Sequence, residues 1–429
     1  MNQIFKKTLL AFSCAGALFL SACNDDTKDE FKSPQYSSYV GETAYIKETP
    51  TAIAAINAAS VKTMTYNMTN VAGQKAQATA LVFFPKTEKP KDGWRVVVWE
   101  HGTVGVADAC APSNNVLNAN FAGLAKELLA AGYVIVAPDY EGLGSKGIHP
   151  YLNMISEANS AIDVVKAFKE KYGNDLNGAW MSVGQSQGGQ ASIGTAEFAA
   201  KDDTYKGAVA GAPASSLGTI ILDVAPLALA GIEVQEIAGN VPLDKRVSVQ
   251  SQATLLAYAA LAGIGIKAYE PRFDYSEIFQ ERTKAIAELG EGSTGENGLC
   301  LSNKDDPELS LVYQFQKDII KFMTANPDKK LKDYPGLNEE NFRANKSIKK
   351  FLSDSQPGTK RIDKPLLILQ GEADTNVPAL VTKGMVKGLV DLGSPNVELV
   401  IVPKATHTEA IVKEQPRLLN FVQKYMPAQ

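Results

Sequence analysis

Histidine is scarce in this chain, with three residues in 429. Any imidazole chemistry must therefore use His101, His149 or His407. Cysteine is nearly as rare, at four residues, and none forms the closely spaced pairs that hold a structural zinc ion. Neither an H-E-x-x-H stretch nor a phosphate-cradling glycine loop occurs, so neither a metal nor a cofactor is expected. No basic run offsets the formal net charge of −4, which argues against nucleic acid as a partner. Beyond its N-terminus, the sequence has no second apolar run that reads as long enough to cross a bilayer.

What the N-terminus does have is informative. Lys6 and Lys7 precede an uncharged apolar stretch over 8–20, too short for a spanning helix and shaped like a signal peptide. Leu20-Ser21-Ala22-Cys23 closes it and resembles a bacterial lipobox, in which Cys23 is lipidated and becomes the new N-terminus. Residues 24–32 are polar and charged, as in a flexible tether. Asn24, rather than Asp, follows Cys23, which favours outer-membrane sorting. The expectation is an exported, cell-envelope protein anchored to a membrane rather than spanning it. Cys14 leaves with the signal and Cys23 takes the lipid, so Cys110 and Cys300 remain. In an oxidising compartment these two are expected to pair, the alternative being two free thiols.

From residue 61 the pattern alternates between strands and helices. Segments 61–67 and 77–84 flank a turn at Asn70-Val71-Ala72-Gly73, which reads as a hairpin. Short continuous apolar runs at 95–99, 133–137, 179–183, 365–369 and 397–402 suit strands buried on both faces of a parallel sheet. Helical segments at 121–131, 155–171 and 379–392 lie between them, and a terminal helix covers about 409–425. In the second, Ile155, Ala158, Ile162, Val165 and Phe168 share one face at helical spacing. Such alternation implies right-handed βαβ units and a doubly wound, mostly parallel sheet. The rhythm stops over 216–360, which offers helical pieces at 253–266, 276–289 and 309–324. The expected organisation is a signal peptide over 1–22, a lipidated N-terminus and tether over 23–60, a core over 61–215, a helical cap over 216–360 and the rest of the core over 361–429.

Gly184-Gln185-Ser186-Gln187-Gly188 is a G-x-S-x-G match. Alone it is weak. Directly after an apolar strand and before a helix, it has the strand–turn–helix setting of a nucleophile elbow. A serine hydroxyl needs an adjacent base, and His407 follows the last strand, where such a fold places one. The orienting carboxylate belongs after the preceding strand, where Glu372 and Asp374 both stand; Asp374 is favoured because Gly371-x-x-Asp374 looks like the usual acid turn. The order Ser186, Asp374, His407 is that of α/β-hydrolases. Oxyanion donors are expected at the backbone N–H groups of Gln187 and Thr103. His101 is read as a structural loop residue.

These motifs together resemble the secretory lipase family of α/β-hydrolases. The resemblance rests on Trp99-Glu100-His101-Gly102-Thr103, Cys110-Ala111-Pro112, the run from Ala137-Pro138-Asp139-Tyr140 to Gly144, His149-Pro150-Tyr151-Leu152, the elbow, and Gly371-Glu372-Ala373-Asp374. It implies an α/β-hydrolase fold with a helical cap inserted before the acid-bearing strand, and an ester-cleaving Ser186–Asp374–His407 triad. It also implies a disulfide joining Cys110 to a cap cysteine, Cys300. Asp139, Tyr140, His149 and Tyr151 would shape the pocket. The expected substrate is an ester or lipid. The rival readings are a serine peptidase or amidase on the same fold, an acyltransferase and a non-catalytic module.

Overall fold

The structure is a computed structural model and describes residues 37–428; the signal-peptide, lipidation and Cys23 expectations lie outside them. Nine strands form one sheet in the order β1-β2-β3-β5-β4-β6-β7-β8-β9. These are β1 (Tyr39–Ala44), β2 (Ala58–Thr69), β3 (Lys75–Pro85), β4 (Trp94–Glu100), β5 (Val134–Pro138), β6 (Leu176–Gln185), β7 (Tyr205–Gly211), β8 (Leu366–Gly371) and β9 (Val397–Val402). The first three are antiparallel and join β5 antiparallel; every pairing from β5 through β4 to β9 is parallel.

The helices before β7 are α1 (Pro50–Ala55), α2 (Ala119–Ala130), α3 (Met154–Tyr172) and α4 (Gln187–Phe198). Between β7 and β8 come α5 (Leu217–Thr219), a π turn (Ile220–Val224), α6 (Ala225–Ala238), α7 (Val247–Lys267), α8 (Glu281–Glu288), α9 (Leu311–Ala325), α10 (Glu339–Ala344) and α11 (Lys346–Asp354). The chain ends with α12 (Ala379–Asp391), α13 (Glu409–Lys413) and α14 (Gln415–Tyr425).

Because strand side chains alternate, each parallel strand feeds two cores. Val97, Trp99, Ile135, Leu367 and Leu369 pack with α2, α13 and α14 on one face. Val96, Val98, Val134, Leu366 and Ile368 pack with α3, α4 and α12 on the other. A third core is built by the helices between β7 and β8, and it takes in Tyr151, Leu152, Ala214 and Val377 from loops of the sheet domain. Cys110 and Cys300 form a disulfide across 190 positions of sequence, pinning the loop after β4 to this helical part.

Several expectations differ in detail. Residues 37–60, read as part of a tether, instead form β1, α1 and the start of β2; β1 is a half-exposed edge strand whose polar residues hide the pattern. β7 was not singled out, because its small residues lie between Gly207 and Gly211; a Cβ on Gly207 would stand 2.5 Å from the Pro365 carbonyl oxygen of the neighbouring chain segment. The terminal helix breaks at Glu414, just before Pro416, which cannot continue a helical hydrogen-bond ladder. On α3, Ile155 is 42% exposed, and the buried face is turned toward Glu157, Ala161 and Val164. Finally, two helical runs, Leu217–Ala238 and Val247–Lys267, are long and apolar enough to cross a membrane by composition alone. Asp223, Glu233 and Glu236 interrupt the first and hide it from a search for uncharged runs, and the second is mostly buried within the protein.

The disulfide yields a stability prediction. Removing a crosslink of this span costs about 2–5 kcal/mol. Cys300→Ala should lower the unfolding temperature, and unreduced wild-type protein should run faster on a gel than reduced protein; identical mobility would exclude the bond.

Candidate active site

Ser186 stands between β6 and α4 with φ 60° and ψ −116°, a conformation that side chains rarely adopt and that costs of order 1–3 kcal/mol. The neighbouring backbone dictates the glycines around it. A Cβ on Gly188 would stand 1.8 Å from the Glu100 carbonyl oxygen, and one on Gly184 would stand 2.0 Å from that of Gly188. The turn is held from β7 and beyond: Ser186 N–H donates to the Gly211 carbonyl at 2.8 Å, and the Ser186 carbonyl accepts from Gln190 N–H at 3.0 Å and Ala214 N–H at 3.2 Å.

His407 follows β9 and places its Nε2 2.8 Å from Ser186 Oγ. Its Nδ1 lies 2.7 Å from Asp374 Oδ2. An ionised carboxylate can only accept, so Nδ1 carries the ring proton and Nε2 is free to receive the serine proton. Asp374 is itself fixed. Its Oδ1 accepts from the N–H groups of Asn376 and Val377, both at 2.9 Å, and its Oδ2 accepts from Gln370 Nε2 at 3.0 Å. Gln370 is buried and receives the Thr382 hydroxyl on its own carbonyl at 2.7 Å. Glu372, the other carboxylate, is exposed and accepts the Lys404 N–H at 3.0 Å. A Cβ on Gly371 would meet the Ala405 carbonyl oxygen at 2.4 Å, so this glycine lets the acid and histidine loops touch.

Thr103 and Gln187 flank the serine. Gly102 approaches so closely that a Cβ there would lie 3.6 Å from the Ser186 Cβ. Gln187 is the first residue of α4, where backbone N–H groups have no carbonyl within the helix to bond. The Thr103 hydroxyl is 2.8 Å from that of Tyr151.

The other histidines are buried. His101 has Nδ1 2.7 Å from the Gly102 carbonyl and Nε2 3.2 Å from that of Asp139, and burial holds its basicity below the usual value. Asp139 accepts from the Thr79 hydroxyl at 2.7 Å and Ser113 N–H at 2.9 Å, and burial pushes it up to about 6. Tyr140 donates to the His101 carbonyl at 3.0 Å. Sequence reasoning missed Gln370 and Glu157. Each is a buried polar residue that reads as an ordinary surface residue, and only the Gly-x-x-Asp turn pointed near the first.

Ser186 opens onto two spaces. One is a narrow apolar pocket of about 70 Å³ reaching from Ser186 and His407 past Leu217, Ile220 and Tyr258 to Phe351 and Leu352. The other is an open cleft of about 690 Å³ that also includes Thr103, Asn118, Cys300 and Asn303.

Comparison with solved structures identifies the class: the chain has the α/β-hydrolase fold. It aligns with the rice cell wall degrading esterase LipA from Xanthomonas oryzae at a TM-score of 0.63 and 18% identity, covering 91% of this chain and 98% of the other. A hydrolase from Legionella pneumophila aligns at 0.64 and 18%, covering 90% and 99%. Candida antarctica lipase A in its closed state aligns at 0.62 and 16%, covering 91% and 82%. Within that class, residues 118–247, which include Ser186, match the secretory lipase family. Residues 313–429, which include Asp374 and His407, match the prolyl oligopeptidase family. No curated protein sequence matches the chain.

Two predictions follow from this geometry. Asp374→Asn should lower kcat for Ser186-dependent turnover by several orders of magnitude, as loss of an orienting carboxylate does elsewhere, while Glu372→Gln changes it little; kcat of the two purified variants decides. Burial pushes the Glu157 carboxyl from its ordinary 4.5 up to about 8. The folded state therefore holds this proton more tightly than the unfolded state, and stability is lost as pH rises from about 4.5 to about 8. Thermal unfolding of Glu157→Gln should show a smaller drop across that range than wild type.

Proposed function

We propose that the protein is a serine hydrolase that cleaves carboxylic esters through an acyl-enzyme on Ser186. The observation that carries this is the Ser186–His407–Asp374 relay at the mouth of an apolar pocket. Ser186 Oγ attacks the ester carbonyl carbon while His407 Nε2 takes its proton. The carbonyl oxygen becomes an oxyanion, and the N–H groups of Gln187 and Thr103 are placed to receive it. Collapse of the tetrahedral species expels the alcohol, protonated by His407. Water then attacks the acyl-enzyme, with His407 again as base, and releases the acid and free Ser186.

The pocket lining contains neither a carboxylate nor a lysine or arginine, which suits an acyl chain better than the charged end of a peptide. The open cleft takes the alcohol portion. A disulfide belongs in an oxidising compartment, which fits export, and Cys23 is the proposed lipid anchor to the cell envelope.

Each acyl methylene moved from water into the pocket is worth about 0.8 kcal/mol, or up to roughly fourfold in kcat/KM. With p-nitrophenyl esters, kcat/KM should rise from acetyl toward octanoyl, and Ser186→Ala should abolish turnover. A steady fall along the series would remove the acyl-pocket assignment. Turnover of aminoacyl amides but no ester would favour the peptidase reading.

A further inference from the structure

Resting on the ester-hydrolase reading, we propose that His149 and Glu157 are positioning residues. They clamp the side chain of Gln187 and so fix the backbone N–H that meets the oxyanion.

The turn after Ser186 has little of its own to keep it in place. Gly188 and Gly189 follow Gln187, and close backbone contacts require both: a Cβ on Gly189 would stand 2.7 Å from the Gly211 carbonyl oxygen. Glycine weakens a helix turn, and the first turn of a helix lacks its N–H bonds. Gln187 is therefore the one side chain among 187–189 that can anchor the donor. It is 1% exposed, and its amide group spends both protons on buried partners. One goes to Glu157 Oε1 at 2.8 Å and the other to His149 Nε2 at 3.0 Å.

The two partners are fixed in turn. His149 Nδ1 lies 2.8 Å from the Glu141 carbonyl oxygen, which can only accept, so Nδ1 bears the proton and Nε2 is left as the acceptor that Gln187 needs. Burial pushes this ring down to about 3, so it stays neutral and carries no proton for the reaction. Glu157 Oε1 also accepts the Leu152 N–H at 3.1 Å, holding a residue with φ 58°. Between them stands Tyr151, whose hydroxyl holds the Thr103 side chain. Segment 149–157 thus braces both proposed oxyanion donors from one side. Its own position is set by α7, where a Cβ on Gly265 would stand 2.6 Å from Tyr151 N.

The test uses the full chain, with Gln187→Met, which keeps length but loses both hydrogen bonds, and Glu157→Gln, which keeps a carbonyl acceptor. The readouts are kcat and KM for a p-nitrophenyl ester at pH 7 and inhibition by a trifluoromethyl ketone, which forms a tetrahedral adduct on serine. Gln187→Met should lower kcat roughly 10- to 100-fold with KM within threefold, and weaken the ketone by a matching factor. Glu157→Gln should restore both to within threefold of wild type, whereas Glu157→Leu should behave like Gln187→Met and stands in for it if that variant does not fold. A folded Gln187→Met, or Glu157→Leu in its place, with wild-type kcat and ketone affinity overturns the clamp while the hydrolase reading stands. Ester turnover that survives in Ser186→Ala overturns the hydrolase reading, and the clamp with it.

Discussion

The contact on which the site depends is between two stretches of backbone. The turn that carries Ser186 lies so close to the end of β4 that the Glu100 carbonyl leaves no space for any side chain at 188. That approach stores strain in the serine, whose φ is 60°. Strain of this kind persists only where the surroundings over-determine it. Here they do so from three sides: β4 beneath, β7 through the Gly211 carbonyl, and the loop at Ala214. The serine is held out of the sheet because every alternative position is occupied.

The same economy governs the acid and base. His407 and Asp374 come from loops after adjacent parallel strands, β9 and β8, so the sheet's register brings them together before any side chain does. Gly371 then allows the loops to close to contact. Asp374 receives three hydrogen bonds besides its contact to His407, which leave its carboxylate one orientation. A buried charge so supplied needs no neighbouring cation to be stable.

What could be read from the sequence follows from where apolar residues carry information. β4, β5, β6, β8 and β9 are buried on both faces, so each announces itself as an unbroken apolar run. β7 is equally buried but is made of small residues between glycines, and its burial leaves no hydrophobic signature. Ser186 and His407 were legible because chain order and a count of three histidines leave few choices. The two carboxylates at 372 and 374 were both open, and they differ only in three dimensions, where one faces the histidine and the other a backbone N–H. Glu157 was illegible for a deeper reason. A glutamate on a helix reads as solvent-facing, and only the packed structure reveals that α3 turns it inward.

The placement of His407 on the rim of both spaces matters for the proposed chemistry. One base must serve two proton transfers: from serine to the departing alcohol, and from water to serine. If the apolar pocket holds the acyl chain, it stays filled through the acyl-enzyme stage and admits no water. The alcohol's departure empties the open cleft instead, so the water that completes the cycle enters along the path the alcohol left by. His407 Nε2 faces that path throughout, needing no rearrangement between the half-reactions. Thr103, which shares the cleft wall and is tied to Tyr151 in the pocket wall, sits where the two spaces divide. The division between a dry acyl side and a wet alcohol side is thus drawn by the residues that flank the serine itself.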